Sequence, residues 1–255
     1  MSTPSKTVLV VGATGSIGTL VVERAVAVGH RTRALVRPGS AASFAPEVEV
    51  VHGDLTRAAT LADAVAGIDA VVFTQGTHGG AQQAELVDYG AVRNVLDALA
   101  GVEVRIALMT AIGVTKRSDG HDWKRRGERL VRASGLPYTV VRPGWFDHNQ
   151  PDETRLVLLQ GDRRWAGDPS DGVVSRRQIA EVLVASLTDA AAAQKTFELI
   201  AERGAAQTDL RPILEGVEPD PAGALDAVLD RGNQPLDDEP AEFRERLARL
   251  REFRR

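Results

Sequence analysis

Three glycines spaced three residues apart follow the first apolar run of the chain. Residues 6–11 read KTVLVV, a β-branched run typical of a buried strand, and the stretch VVGATGSIG places Gly12, Gly15 and Gly18 directly after it. Residues 16–29 then show helical spacing of apolar side chains and end at a glycine. A strand, a glycine-rich turn and a helix in this order are typical of a site that holds a pyrophosphate. The alternative is a structural turn without a ligand.

Each glycine has its own predicted role in this turn. Gly12 allows the tight turn, Gly15 lets phosphates approach the main chain, and Gly18 lets the helix pack closely on the strand. The helix N-terminus adds N–H donors and the positive end of its dipole. We therefore expect the whole loop to bind a dinucleotide cofactor, through Gly12, Ala13, Thr14, Gly15, Ser16, Ile17 and Gly18.

Strands and helices alternate along most of the remaining chain. Predicted strands cover residues 31–37, 48–51, 70–74, 104–110, 138–142 and 195–201. Predicted helices cover residues 61–66, 84–100, 123–134 and a segment that opens at residue 175 with a capping box. This alternation predicts the α/β class, with a doubly wound parallel-sheet Rossmann fold.

A change in composition marks the end of this pattern. We expect residues 1–203 to form an NAD(P)-binding Rossmann domain that includes a substrate cleft at about residues 143–175. From Gly204 onward, prolines separate short helical pieces. We expect residues 204–255 to form a small C-terminal helical extension, packed on the domain or on a partner subunit. Its last helix would place Phe243, Leu247, Leu250 and Phe253 on one face.

The end of the second strand carries a basic residue where an acidic one would bind a ribose 2′-hydroxyl. Arg37 stands there, and a guanidinium suits a 2′-phosphate through paired, charge-assisted donors. Strand alternation puts Arg33 on the same face, so both arginines are expected at one pocket. The pattern favours NADP over NAD as the cofactor. The alternative is that Arg37 is a solvated loop residue.

Two further strand ends are expected to contact the cofactor. Asp54 and Leu55, in the stretch HGDL, follow the third strand near the expected adenine. Asp54 is also a candidate N-cap of the helix that follows it. The fourth strand ends in a polar stretch beside the expected cofactor, at Thr74, Gln75 and Gly76.

Composition excludes several other classes of function. The chain has no cysteine, which excludes disulfides and thiolate chemistry, and its net charge of −4 offers no overall basic field for nucleic acid. We find no metal-ligand spacing, no signal peptide at the N-terminus and no run long enough to span a bilayer. We therefore expect a cytoplasmic monomer or homodimer that acts on a small molecule, without metal, nucleic acid or membrane.

Five stretches of the chain resemble the short-chain dehydrogenase/reductase superfamily. They read VVGATGSIG, RALVR, GDLT, VDYGAVRNVLDAL and WKRRGERLVRASGLPYTVVRPG, and together they cover roughly residues 6–200. The last stretch resembles the atypical branch in particular, which is NmrA-like and flavin-reductase-like. The resemblance implies a Rossmann sheet that carries a nicotinamide nucleotide.

The resemblance also implies an active-site pattern, which this chain keeps only in part. The family places a Ser or Thr after strand five and a Tyr-x-x-x-Lys on the next helix. Lys124 matches the lysine, which would hold the nicotinamide ribose, and Thr110 lies near the place of the serine. Gly120 stands where the tyrosine would be. Thr110, His121, Asp122 or water remain as candidate proton sources.

Aromatic residues follow the sixth strand near the expected substrate. Trp145, Phe146 and His148 are candidate walls for a planar substrate, although the two aromatics could equally close the core. Trp165 and residues 147–171 are a candidate mobile cover.

Without the family tyrosine, the sequence favours an NADPH-dependent oxidoreductase whose acceptor is a flavin, a quinone or another conjugated compound. The alternatives are a non-catalytic NADP-binding redox sensor or scaffold of NmrA type and, more weakly favoured, an isomerase.

Overall fold

A ten-stranded sheet organises the protein. The computed structural model describes residues 5–77 and 79–252. Its strands are β1 (Thr7–Val11), β2 (Arg31–Val36), β3 (Val48–His52), β4 (Ala70–Phe73), β5 (Arg105–Met109), β6 (Tyr138–Pro143), β7 (Trp145–Phe146), β8 (Arg155–Leu159), β9 (Val173–Val174) and β10 (Lys195–Glu202). Seven of them run parallel in the order β3-β2-β1-β4-β5-β6-β10. Strands β8 and β9 lie antiparallel to β10, and β7 pairs with β9.

Helices connect the parallel strands and cover both faces of the sheet. They are α1 (Gly18–Ala27), α2 (Ala62–Val65), α3 (Gly80–Gln83), α4 (Gly90–Leu99), α5 (Asp119–Ala133), α6 (Arg176–Ala185), α7 (Arg211–Glu215) and α8 (Ala241–Glu252). A π-helical turn, Ala84–Tyr89, joins α3 to α4. Short 3₁₀ turns lie at Ala58–Thr60, Pro169–Asp171, Ala190–Ala192 and Leu236–Asp238. In the described ranges, no helix has both the length and the apolar composition to cross a membrane.

The sheet separates two apolar layers, and β1 contributes to both. Val8 and Val10 point into the layer formed with α1 and α6, whereas Leu9 and Val11 point into the layer formed with α2, α4 and α5. A strand buried on both faces needs apolar residues at every position, which explains the continuous run TVLVV. The parallel order and the two helical layers confirm the predicted doubly wound Rossmann fold.

The switch in strand order positions the candidate site. From β1 the chain moves outward to β2 and β3, and it then returns to β4 on the other side of β1. In an open parallel sheet, ligands bind in the crevice outside the carboxyl ends of the strands at such a switch. Gly12 directly follows β1, and Thr74 directly follows β4. The glycine loop therefore lies at the edge of this crevice.

The segment predicted as a mobile cover is largely tied to the domain. Its middle forms β8, which pairs with β10 over five residue pairs. Asp162 follows β8, is fully buried, and accepts 2.6 Å hydrogen bonds from the backbone N–H groups of Gly113 and Thr115. Sequence patterns missed this strand because its partner is far away in sequence and both lie beyond the regular alternation.

The C-terminal extension packs on the main domain. Glu239 of the extension forms a buried ion pair with Arg129 of α5 at 2.6 Å, and half-buried Asp226 pairs with the same guanidinium at 2.8 Å. Phe243 and Leu247 of α8 lie in the apolar layer next to α5. The described part of the extension thus contacts α5, and the division of the chain at residue 203 stays a prediction. Phe253, expected on the same face of the last helix, lies outside the described residues.

Candidate functional site

The turn after β1 requires glycine at two positions for reasons of space. Gly12 has φ of +83°, and a Cβ there would lie 2.7 Å from the backbone nitrogen of Gln75. A Cβ at Gly18 would overlap the carbonyl oxygen of Gly12. The first turn of α1 therefore lies directly against the end of β1, as the glycine spacing predicts.

The outer face of the loop leaves the backbone bare at its centre, at Gly15. Thr14, Gly15 and Ser16 are exposed, whereas Ala13 and Ile17 are buried beneath them. A Cβ at Gly15 would meet only the Gly12 carbonyl oxygen, at 3.2 Å. The N-terminus of α1 has no side-chain cap and no acidic residue in its first turn. These features fit a dinucleotide diphosphate, because backbone N–H groups and the helix dipole would face its negative charge.

The end of β4 is hydrogen-bonded to the end of β1, where the glycine loop begins. The Thr74 hydroxyl donates to the carbonyl oxygen of Val11 at 2.9 Å, and the backbone N–H of Thr74 donates to the same oxygen. The neighbouring Gln75 is buried, and among the described residues its Oε1 has no hydrogen-bond partner. Gly76, next along, is exposed. Thr74, Gln75 and Gly76 thus line the crevice beside Gly12, where a ligand is expected.

Arg33 of β2 and Arg37, which follows this strand, lie in different surroundings. Arg33 pairs with Glu49 at 2.9 Å, and its Nη1 donates to the carbonyl oxygens at the end of α2, those of Asp63, Ala64 and Ala66. The Nε of Arg33 is thus engaged with Glu49 and its Nη1 with the end of α2, and the expectation that Arg33 shares a pocket with Arg37 stays a prediction. Arg37 is exposed just beyond the end of β2.

Asp54 forms a local turn beyond β3. Its Oδ1 accepts from the backbone N–H of Thr56 at 2.9 Å and from the Thr56 hydroxyl at 2.7 Å, and these bonds lower the pKa of Asp54. The next helical turn, Ala58–Thr60, has Arg57 at its N-cap, so Asp54 caps a turn and not the helix. The carbonyl oxygen of Leu55 accepts from Asn94 at 2.6 Å. Both residues lie at the predicted strand end.

Lys124 of α5 lies at the crevice, where it pairs with a buried carboxylate. Its Nζ lies 2.7 Å from Oδ1 of Asp88, whose side chain is 4% exposed. The same oxygen would lie 3.8 Å from a Cβ on Gly76. Lys124 therefore stands next to the end of β4, on the side of the crevice opposite Arg37. Asp88 was missed in the sequence, because its position depends on the π-helical turn Ala84–Tyr89.

Comparison with known proteins identifies the family. A family profile described as NAD(P)H-binding matches residues 12–190, more than half of the chain. The chain belongs to this NAD(P)H-binding family. The match begins at Gly12 and confirms the dinucleotide-binding fold inferred from the glycine loop.

Relatives of this NAD(P)H-binding protein come from plants and bacteria. Protein TIC 62, chloroplastic, of Pisum sativum is 27% identical over 248 residues, covering 81% of this chain and 45% of the relative. The uncharacterized sugar epimerase YhfK of Bacillus subtilis is 29% identical over 211 residues, covering 75% and 92%. The chain spans less than half the length of the TIC 62 proteins that it matches.

Solved structures share the fold. A putative NAD-dependent epimerase/dehydratase from Bacillus halodurans aligns with a TM-score of 0.66 at 23% identity, covering 83% of this chain and 100% of that chain. A putative NADH-flavin reductase from Streptococcus pneumoniae TIGR4 has a TM-score of 0.61 at 20% identity, covering 78% and 100%. A short-chain dehydrogenase/reductase from Veillonella parvula in complex with NADP has a TM-score of 0.61 at 16% identity, covering 81% and 100%.

This NAD(P)H-binding protein has open space at the position of the family tyrosine. Gly120 is the second residue of α5, one turn before Lys124, and a Cβ there would meet no atom within 4 Å. Neither tyrosine of the chain stands in for it. Tyr89 is buried against Trp123, with ring centroids 5.2 Å apart, and the Tyr138 hydroxyl donates to buried Asp220 at 2.8 Å.

Thr110 donates its hydroxyl proton away from the crevice. Its Oγ lies 2.7 Å from Oε1 of fully buried Glu128. Burial opposes ionisation of Glu128, but Arg142 and Arg132 outweigh it and lower the pKa of Glu128 to about 2. The carboxylate is therefore a permanent acceptor for Thr110. A contact between Thr110 and the acceptor remains a prediction. In this arrangement Thr110 can only accept a hydrogen bond there, through its oxygen lone pairs, because its proton is donated to Glu128.

The other two candidate proton sources also have partners. Nδ1 of His121 lies 3.1 Å from the carbonyl oxygen of Lys116. Asp122 pairs with Arg117 at 2.9 Å on the surface.

The three candidate substrate residues lie in two different environments, one exposed and one in the core. Trp145 is 38% exposed, and its ring meets that of His148 edge to face at 6.0 Å. Phe146 packs against the apolar layer of α1 and α6. The alternation of β7 explains the separation. Trp145 and His148 form an exposed wall, whereas Phe146 supports the core.

Arg176 is a further polar residue near the loop, and sequence reasoning missed it. It is the first residue of α6, and its Nε donates to the hydroxyl of Ser16 at 3.1 Å. The capping box of Ser175 and Gln178, which the structure confirms, could have drawn attention to it because the box fixes where α6 begins.

Proposed function

We propose that this protein is an NADPH-dependent oxidoreductase that reduces a small, planar, conjugated acceptor such as a flavin or a quinone. The observation that carries the proposal is the pairing of Lys124 with Asp88 beside the end of β4, while open space at Gly120 replaces the family tyrosine. Bound NADPH would supply the hydride. A conjugated acceptor needs no protein acid at the position of that tyrosine.

Residues on both sides of the crevice would divide the work of binding. The loop from Gly12 to Gly18 would hold the diphosphate, and Asp54 with Leu55 would lie near the adenine. Thr74, Gln75 and Gly76 would line the middle of the cofactor, and Lys124 would hold the nicotinamide ribose. Lysine suits that role because its ammonium offers three donors to ribose hydroxyls.

The preference for NADPH rests on Arg37. This guanidinium is exposed at the end of β2 and is free of the helix-capping role that occupies Arg33. A 2′-phosphate would receive paired, charge-assisted donors there. One structural neighbour binds NADP, as its description states, which agrees with this choice.

The acceptor would lie against Trp145 and His148. An exposed tryptophan is a suitable stacking surface for a planar ring, and the imidazole beside it adds a polar edge. The description of another neighbour as a putative NADH-flavin reductase supports an acceptor of this class. The cytoplasmic location, the monomeric or homodimeric state and the lack of nucleic-acid or membrane partners stay predictions.

A turnover assay tests the proposal. The purified protein is incubated with NADPH and FMN, a naphthoquinone or a simple aldehyde, and the loss of NADPH absorbance is followed. We expect turnover with the flavin or the quinone and none with the aldehyde. Lys124→Ala should lower kcat/KM by about tenfold or more, the value of a lost charged hydrogen bond. Exposed Lys116→Ala is the matched control. Tight NADPH binding without turnover would contradict the proposal.

A second function, a redox sensor or scaffold, is favoured by one observation. The proton donors expected near the nicotinamide are either absent, as at Gly120, or already donating elsewhere, as at Thr110. Such a protein would bind NADP and NADPH without consuming either. Retention of a partner protein that changes with the NADP redox state, in the absence of turnover, would support this function.

A further inference from the structure

The side chain of Arg176 crosses from α6 to the glycine loop. Helices α1 and α6 pack side by side, which brings the start of α6 near the start of α1. There the Nε of Arg176 donates to Ser16, 160 residues away in sequence. Ser16 belongs to the exposed face of the loop, which fits a diphosphate.

Two neighbours hold the guanidinium in this place. Asp147 accepts from the backbone N–H of Arg176 at 2.9 Å and forms an ion pair with its Nη1. The ring of Phe146 lies beneath it, 5.4 Å from the guanidinium carbon. Among the described residues, the hydrogen bonds of this side chain use Nε and Nη1, so the two Nη2 protons remain for a ligand. The side chain is 34% exposed, which leaves it accessible.

The glycine loop has no positive side chain of its own, so a bound diphosphate would need a cation from elsewhere. Residues 12–18 contain no basic side chain, and a dinucleotide diphosphate brings two negative charges to them. Arg24 lies farther along α1 and pairs with Glu181 of α6 at 3.6 Å. Asp147 would repel a diphosphate unless a cation stood between them. Arg176 stands between the Asp147 carboxylate and Ser16, so it supplies the missing positive charge.

We propose that Arg176 is a diphosphate ligand of the bound dinucleotide, contributed from the far half of the chain and oriented by Asp147 and Phe146. This inference rests on the proposed dinucleotide binding. It assigns the two arginines to different parts of the cofactor: Arg37 to the 2′-phosphate, which only NADP carries, and Arg176 to the diphosphate, which NADP and NAD share.

Ligand titrations separate these assignments. Binding of NADPH, NADH and 2′-AMP is measured by calorimetry for the wild type and for Arg176→Gln. We expect Arg176→Gln to weaken NADPH and NADH alike, by about tenfold or more, because each loses a charge-assisted hydrogen bond. Binding of 2′-AMP should stay within about twofold, since this ligand has no diphosphate. Arg176→Lys should fall between the wild type and Arg176→Gln, because it keeps the charge without the planar fork.

Arg177→Gln is the matched control, because Arg177 is the neighbouring exposed arginine and lines the groove between α1 and α6. It should bind all three ligands like the wild type. Unchanged dinucleotide binding by Arg176→Gln would overturn this inference alone, as would an equal loss of 2′-AMP binding. A wild type that binds neither NADPH nor NADH would overturn the proposed function together with it.

Discussion

Gly12, Gly15 and Gly18 lack side chains for different physical reasons. Gly12 combines a positive φ with close contact to the backbone of Gln75, and Gly18 packs against the carbonyl group of Gly12. Side chains at either position would disturb the fold itself. Gly15 is exposed and has ordinary φ, so a methyl group there has room apart from one 3.2 Å contact. The fold alone therefore explains glycine at position 15 less well than at positions 12 and 18, which agrees with the proposed approach of a ligand to Gly15.

The role of Arg37 predicts a change in cofactor preference. Arg37→Asp should weaken NADPH binding by about a hundredfold, because it removes a charge-assisted bond and adds repulsion to the 2′-phosphate. NADH binding should change little. Titrations of the two cofactors against the variant provide the measurement, with exposed Arg57→Asp as the control. Equal losses for both cofactors would show that Arg37 does not select the nucleotide.

The open space at Gly120 predicts a gain of activity. Gly120→Tyr would place a phenol on the face of α5 that carries Lys124, one turn away. We expect Gly120→Tyr to reduce a simple aldehyde at a measurable rate, about a hundredfold above the background loss of NADPH seen with the wild type, because a general acid usually contributes at least that factor. Gly120→Phe has the same ring without the hydroxyl and should show no gain. Equal rates for the two variants would contradict the assignment of this position.

At the scale of elements, buried ion pairs join β6 and α5 to the extension. Arg142 of β6 is fully buried and pairs with Glu128 and Asp230, each at 2.7 Å. These two carboxylates already balance its charge. Glu198 of β10 lies 3.4 Å from the same guanidinium and close to Asp162. Burial, together with Asp162 and Asp230, raises the pKa of Glu198 to about 8, against the opposing effect of Arg142.

This raised pKa predicts how stability depends on pH. Between an ordinary value of 4.5 and about 8, folded Glu198 keeps a proton that the unfolded chain releases. Its contribution to the free energy of unfolding is therefore complete below 4.5 and is lost as pH rises toward 8. Urea unfolding of the wild type and Glu198→Gln across this range should show a difference that changes with pH in this direction. A constant difference between the two proteins would count against the raised pKa.

The packing of the C-terminal extension predicts that removal of one buried aromatic ring strongly lowers the free energy of unfolding. Phe243 of α8 is 2% exposed and packs against Tyr89 with ring centroids 6.0 Å apart. Phe243→Ala should lower the free energy of unfolding by about 3–5 kcal/mol, as expected for a buried aromatic. Leu236→Ala, at a 38% exposed position of the same extension, should have a small effect. Similar effects of the two changes would show that α8 is not an integral part of the core.

Local patterns predicted the elements up to Pro143 well, because each strand there is an apolar run between clear turn signals. They did less well where structure depends on distant partners. Strand β8 exists because it pairs with β10. The predicted start of α5 differs for a local reason, because Ser118 caps the helix and it begins at Asp119, four residues before the predicted start. In the site, the glycine loop is a local signal. The contacts of Asp88 with Lys124 and of Arg176 with Ser16 form only when the fold brings separate elements together.

At the scale of the whole molecule, the crevice gathers residues from both halves of the sheet. The glycine loop and Arg37 come from the first half, and Lys124 and Arg176 come from the second. A dinucleotide in the crevice would contact both halves and stabilise the folded state. At a ligand concentration a hundred times Kd, the gain is about 2.7 kcal/mol, which should raise the melting temperature.

Calorimetric titration of the wild type and Gly15→Ala with NADPH and NADH tests the central claim most directly. We predict saturable one-site binding by the wild type, tighter for NADPH, with a higher melting temperature in its presence. Gly15→Ala should keep a similar melting temperature without ligand and bind both cofactors about tenfold or more weakly, because its methyl group keeps the phosphates from the backbone donors. A wild type that retains neither cofactor at millimolar concentration, or a Gly15→Ala variant that binds both as tightly as the wild type, would contradict the account.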